Sequence, residues 1–196
     1  MSLPSDKPPP GPRQPDRCVA DCAPMHQLLL LRHAKAARDT PGQPDRDRPL
    51  APRGRAEAAA MAGAMRRLGL VPDLVLLSPA RRTRETLAAL EPWDDMPLVE
   101  VQDRLYLAPA AELHAVLTEV AETVRSVLLI GHNPGLHDLA AALAAPGGGA
   151  LAARLAERFP TGALAEFALP GPWRAPGTAR SIRFLLPADL DRAPVS

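Results

Sequence analysis

The strongest constraint on this chain is a set of three short runs that are apolar at every position: Leu28-Leu29-Leu30-Leu31, Leu74-Val75-Leu76-Leu77 and Val127-Leu128-Leu129-Ile130. Successive strand residues point to opposite faces, so a strand that is apolar throughout must be covered on both sides. Strands of this kind belong to parallel sheets sandwiched between helices. Length alone does not separate such a run from a piece of buried helix. The polar break straight after the first run, Arg32-His33, favours the strand.

Helical patterns fill the intervals. Residues 54–68 are Ala-rich with Ala58, Met61, Met65 and Leu68 on one face, and Gly69 and Pro72 end that helix. A helix over 79–90 begins with a proline, well placed in a first turn. Further helices are predicted over 110–124, with Leu113, Val116, Leu117 and Val120 in one stripe, and over 135–145. Pro41, Gly42, Pro44 and Pro49 mark residues 34–52 as a loop. A short extended segment falls at 98–101, and two more strands, 163–169 and 180–186, are joined by a Pro/Gly-rich loop. The alternation predicts an α/β fold: a three-layer sandwich with a mainly parallel central sheet and helices on both faces. Pro146-Gly147-Gly148-Gly149 reads as a connection or a mobile loop near the site.

A length of 196 residues fits one domain. Residues 1–24 are rich in Pro, Asp and Arg and poor in apolar side chains, so they read as a disordered tail ahead of a domain spanning 25–190. Met25 directly precedes the first strand and is a candidate start. Cys18 and Cys22 fall in that tail and read as free thiols. A net charge of +1 argues against wholesale binding to nucleic acid. No apolar run approaches the roughly 20 residues of a membrane helix, and no signal-peptide core is present; the expectation is a cytoplasmic protein.

In open α/β sheets ligands bind beyond the carboxyl ends of the strands. The first and third apolar runs end in His33 and His132, and the second leads into Ser78-Pro79 with Arg81, Arg82 and Arg84 opening the next helix. If the strands are central and parallel, histidines and guanidiniums meet at one sheet edge beside a helix N-terminus, which describes a phosphate pocket. A neutral imidazole is a competent nucleophile near pH 7. Phosphoryl transfer is mostly positioning and charge stabilisation, which arginines and a second histidine can supply.

Leu31-Arg32-His33-Ala34 resembles the R-H-G/A signature of the histidine phosphatase superfamily, and the segment from Ser78 to Thr86 is similar to its S-P-x-x-R-A-x-x-T element. Gly131-His132-Asn133-Pro134 matches the second-histidine element, and the resemblance spans roughly residues 26–187. Arg32-His33-Ala34-Lys35, followed by Asp47-Arg48-Pro49-Leu50 and Arg53-Gly54, is similar to the small SixA-type phosphohistidine phosphatases. The resemblance implies a phosphoglycerate mutase-like fold and needs no cofactor or metal. It implies His33 as the residue that becomes phosphorylated, Arg32 and Arg82 as phosphate-pocket arginines, and His132 as the stabilising second histidine. Arg48 and Asn133 are candidate substrate contacts, although a loop salt bridge explains Arg48 as well.

Branches acting on alcohol phosphates use a carboxylic acid to protonate the leaving oxygen, a contribution of about 10²–10⁴-fold. Here Glu100 and Asp103 are weak candidates for that acid. An imidazole leaving group needs far less help, so the pattern favours phosphohistidine in a phosphorylated protein as the substrate. Two other readings stand beside it. One is a phosphatase for a small phosphate ester; the other is a non-catalytic module that binds phosphorylated partners. A dinucleotide site is excluded, because no G-x-G-x-x-G follows the first strand.

Overall fold

The computed structural model describes residues 25–93, 95–175 and 177–190. The segment read as a tail, with Cys18 and Cys22, lies outside the described residues. Six strands form one sheet: β1 (His26–Arg32), β2 (Leu74–Leu77), β3 (Leu98–Val101), β4 (Ser126–Gly131), β5 (Leu164–Leu169) and β6 (Arg180–Leu185), in the order β3-β2-β4-β1-β5-β6. The helices are α1 (Pro52–Arg67), α2 (Arg81–Leu90), α3 (Ala110–Thr118), α4 (Gly135–Ala144), α5 (Gly149–Glu157) and α6 (Pro187–Leu190).

The sheet is mixed, which corrects part of the expectation. β1, β2, β3 and β4 pair in parallel, whereas β5 pairs antiparallel with both β1 and β6. β5 and β6 are joined without a helix, and only antiparallel neighbours allow a connection that simple. α3 stops at Thr118 rather than running to residue 124. The Gly-rich stretch opens α5, with Gly149 as its first residue.

The apolar runs are buried on both faces, as their composition requires. Leu29, Leu31, Val75, Leu77, Leu128 and Ile130 pack with Met61, Met65, Leu87 and Leu90 of α1 and α2. Leu28, Leu30, Leu74, Leu76, Val127 and Leu129 pack with Leu113, Val116, Leu136, Leu139 and Leu155 of α3, α4 and α5. Leu68, expected on the buried face of α1, instead caps the helix and is exposed. No helix among the described residues is long and apolar enough to cross a membrane.

Two glycines of α1 have opposite meanings. Gly54 lies against the carbonyl of Lys35, where an added Cβ would stand 2.0 Å from the oxygen. Gly63 has only the end of the Arg67 side chain nearby, at 3.3 Å. Gly54→Ala should therefore destabilise by about 2–3 kcal/mol, since backbone overpacking outweighs the gain in helix propensity. Gly63→Ala should stabilise by roughly 0.5–1 kcal/mol. Urea midpoints of the two variants test this; a shift in the same direction for both would contradict it.

Candidate active site

The site is built by strand register. Leu31 pairs with Ile130 and Arg32 with Gly131, so the next residues, His33 and His132, emerge side by side at the carboxyl edge. The ladder continues past the strands, with His33 N donating to Gly131 O at 3.1 Å and Ser78 N to Ile130 O at 3.2 Å. The two imidazole centroids are 5.1 Å apart. Because β5 runs the other way, its leading loop, residues 159–163, reaches the same edge. Gly162 N donates to the carbonyls of Arg32 and His33, both at 3.1 Å.

Hydrogen bonds define the histidine tautomers. His33 Nδ1 lies 2.8 Å from Ala34 O, and a carbonyl only accepts. The proton is therefore on Nδ1, leaving the lone pair on Nε2. His132 Nδ1 lies 3.3 Å from an Arg82 Nη2, which only donates. His132 Nε2 then donates to Ser78 Oγ at 2.7 Å. Burial lowers the His33 pKa to about 4, and Arg82, Arg32 and Arg48 add to the shift against the opposing Ala34 hydrogen bond. Burial also lowers His132 to about 3, with His33 and Arg82 reinforcing it and Asp45 opposing. Both rings are neutral at pH 7.

Arg82 comes from the first turn of α2 and is almost fully buried. It donates to the backbone oxygen of Asp45 at 2.7 Å and to its carboxylate at 3.0 Å. Arg32 donates to Phe159 O at 2.9 Å, while its buried Nε has no hydrogen-bond partner among the described residues. A solvent-open cavity of about 200 Å³ is lined by Arg32, His33, Lys35, Ala36, Arg48, Arg82 and Thr161. Three guanidiniums and a free imidazole nitrogen thus converge on one small space, with the exposed Lys35 at its rim, an arrangement suited to holding and attacking a phosphoryl group.

The structure brings Arg32, His33, Arg82 and His132 together, and Arg48 joins them. Arg48 also ties its own loop, through Asp39 at 2.8 Å, Asp45 at 2.8 Å and Ala37 O at 2.8 Å. Asn133 does not line the cavity; its Nδ2 donates to Phe159 O at 2.9 Å and thereby supports the loop that holds Arg32. Neither candidate acid is placed there. Glu100 sits on edge strand β3 in a groove against α3, and Asp103 is exposed and paired with Arg46 at 2.6 Å.

Asp45 was not singled out in the sequence, yet its carboxylate ties Arg82, Arg48 and the Tyr106 hydroxyl, the last at 2.5 Å. The Tyr106 hydrogen bond, helped by Arg48 and Arg82, lowers the Asp45 pKa and keeps it ionised. The Tyr106 ring stands edge-on to His132 at 5.5 Å. Ser78, Lys35 and Thr161 were missed as well. Ser78 and Lys35 lie inside quoted motifs, whereas Thr161 carries no local signal. Among the described residues no cluster of three or more His, Cys, Asp or Glu has the geometry to hold a metal ion.

Fold and site together define an α/β phosphoryl-handling protein with paired histidines at the carboxyl edge of its sheet. The chain belongs to the histidine phosphatase superfamily, whose branch 1 profile matches residues 28–106. It is 38% identical over 161 residues to a Mycobacterium tuberculosis protein known as Uncharacterized protein Rv1276c, covering 80% of this chain and 99% of that one. A structure from Agrobacterium tumefaciens ascribed to the phosphohistidine phosphatase SixA is 33% identical, with a TM-score of 0.72 over 82% of this chain and 97% of the other. The protein histidine phosphatase SixA in complex with tungstate is 28% identical, with a TM-score of 0.69 over 84% and 99%.

Keeping two buried rings neutral makes stability depend on pH. Both folded pKa values lie below the ordinary value of 6.5, so below pH 6.5 the unfolded chain binds protons that the folded chain does not. Stability should be fully present above pH 6.5 and fall as the pH drops toward 4, by roughly 1–2 kcal/mol per ring between pH 7 and 5. Urea unfolding at the two pH values tests this. A His33→Asn/His132→Asn double variant should lose most of the difference; an unchanged difference would refute the assignment.

Proposed function

We propose that this chain is a metal-independent phosphatase that hydrolyses phosphohistidine in a protein through a phospho-His33 intermediate. The observation that carries the reading is the free lone pair on His33 Nε2, 5.1 Å in ring separation from His132 and sharing one cavity with Arg32 and Arg82. The lone pair attacks phosphorus, forming a P–N bond as the bond to the leaving group breaks. Arg32 and Arg82 stabilise the charge on the equatorial oxygens, joined by His132 when its Nε2–H turns from Ser78 Oγ toward the phosphoryl group. Water then cleaves phospho-His33, releasing orthophosphate and restoring the neutral ring.

Two features favour phosphohistidine over a small ester. The cavity offers no protonated carboxylic acid, because Glu100 and Asp103 lie elsewhere and Asp45 is held ionised. An alkoxide leaves badly without such a donor, whereas a phosphoimidazole protonated on its distal nitrogen departs as neutral imidazole. At about 200 Å³ the cavity is also smaller than the ~300–1,000 Å³ of pockets that enclose small ligands. It suits a phosphoryl group presented on a larger surface. The tungstate bound by the SixA relative is a tetrahedral oxyanion, and this cavity holds cations fitted to such a group.

Phosphate release from a phosphohistidine-bearing protein, in excess chelator, should be robust for the wild type and at least about a thousandfold slower for His33→Ala. Acid-labile label should be trapped on wild-type His33 after rapid quench. Turnover confined to alkyl or aryl phosphates would move the substrate to small esters, and loss of activity in chelator would refute metal independence. The acid limb of kcat/KM should fall near pH 4 rather than 6.5, because the lowered pKa keeps His33 neutral to lower pH. A midpoint at 6.5 would contradict the burial that sets it.

A further inference from the structure

Of the four cations lining the cavity, Arg82 and Arg48 are paired with Asp45, and Arg32 directly precedes the His33 nucleophile. Lys35 has no ion-pair partner among the described residues. Its backbone is nevertheless held in place. Ala51 N donates to Lys35 O at 2.8 Å, Ala36 bridges Leu50, and Gly54 packs directly on the Lys35 carbonyl. The fold thus fixes the Lys35 Cα at the cavity rim and leaves a long, exposed ammonium arm free to move. Thr161 also lines the cavity, on a loop fixed by the two hydrogen bonds from Gly162.

This division of labour has a chemical meaning. Rigid guanidiniums fit the fixed oxygens of a phosphoryl group, whereas a flexible ammonium suits an anion whose position varies. We infer that Lys35, with the Thr161 hydroxyl, forms a second anion subsite beside the phosphoryl pocket, selecting substrates that carry another acidic group next to the phosphorylated one. The inference rests on the phosphoryl pocket proposed above and names its substrate class more narrowly. The second anion is either a carboxylate, as on an acidic residue flanking phosphohistidine, or a second phosphoryl group.

Calorimetric binding of methylphosphonate, phosphonoacetate and pyrophosphate to the full chain separates these cases. The wild type should bind at least one of the two ligands that carry a second anionic group about fivefold more tightly than methylphosphonate, the scale of a well-placed exposed charge. Preference for phosphonoacetate indicates a carboxylate, and preference for pyrophosphate a second phosphoryl group. The gap should close in Lys35→Gln, persist in Lys35→Arg and narrow with salt. Equal binding of all three ligands, or a gap that survives Lys35→Gln, overturns the subsite while leaving the phosphoryl pocket intact. Failure to bind any of them overturns both. Lys35 is exposed, so its substitution should leave the fold intact, which circular dichroism verifies.

Discussion

The parallel register of β1 against β4 sets the separation of the two histidines before either side chain chooses a rotamer. Neighbouring strands lie about 4.8 Å apart, and the rings of His33 and His132 keep nearly that spacing at 5.1 Å. A slip of one residue would send one ring to the opposite face of the sheet. Apolar patterning cannot prevent such a slip here, because β1 and β4 are apolar on both faces. The register is marked instead by polar side chains where the strands begin. Ser126 Oγ donates to Gln27 Oε1 at 2.7 Å, and Gln27 Nε2 to Glu166 Oε1 at 2.8 Å. Arg183 completes the row on β6, 2.8 Å from Glu166. A partly buried polar row at one end of the sheet thus fixes the register that sets the histidines at the other.

Charge around the histidines is balanced in a way that keeps them neutral without leaving the arginines unopposed. Burial works against a charged imidazole, and the guanidiniums work in the same direction. Arginines this close to one another also repel, and Asp45 offsets that by accepting from Arg82 and Arg48 together. Tyr106 donates to the same carboxylate and places its ring beside His132. The loop holding Asp45 is in this way fastened to the site it lines, so the cationic pocket is preformed and needs little reorganisation when charge develops.

How much of this was legible in the sequence follows from the reach of each interaction. The three apolar runs announce buried strands because burial on both faces leaves a mark at every position, and Arg32, His33, Arg82 and His132 stand directly at strand or helix ends. The antiparallel placement of β5 depends on long-range pairing; its only local trace is the helix-free link to β6. Asp45 reaches Arg82 and Arg48, and Thr161 the cavity, from loops whose course is set by tertiary hydrogen bonds, and no spacing rule predicts that. The α5 helix was hidden because Gly147, Gly148 and Gly149 read as a break; Gly148 and Gly149 do adopt positive φ, but they launch a helix. Asn133 shows the limit of adjacency in the chain. Standing next to a functional histidine in sequence, it supports the Phe159 carbonyl instead of facing the cavity.

The small size of the cavity has an energetic corollary. A site that encloses little beyond the phosphoryl group gains little apolar burial from the rest of its substrate, so binding beyond the phosphate must come from the surrounding rim. That rim is made by the loop at 34–50, closed on itself and on the start of α1 by backbone hydrogen bonds, and by the segment at 159–163, pinned to β1 and His33 in the same way. A rim held in place loses little entropy when a partner docks. Selectivity among phosphorylated partners then falls to the few rim side chains that remain free to move. On the proposed reading, it is at this rim, rather than at the arginines of the phosphoryl pocket, that a change of side chain alters substrate choice without disturbing the chemistry.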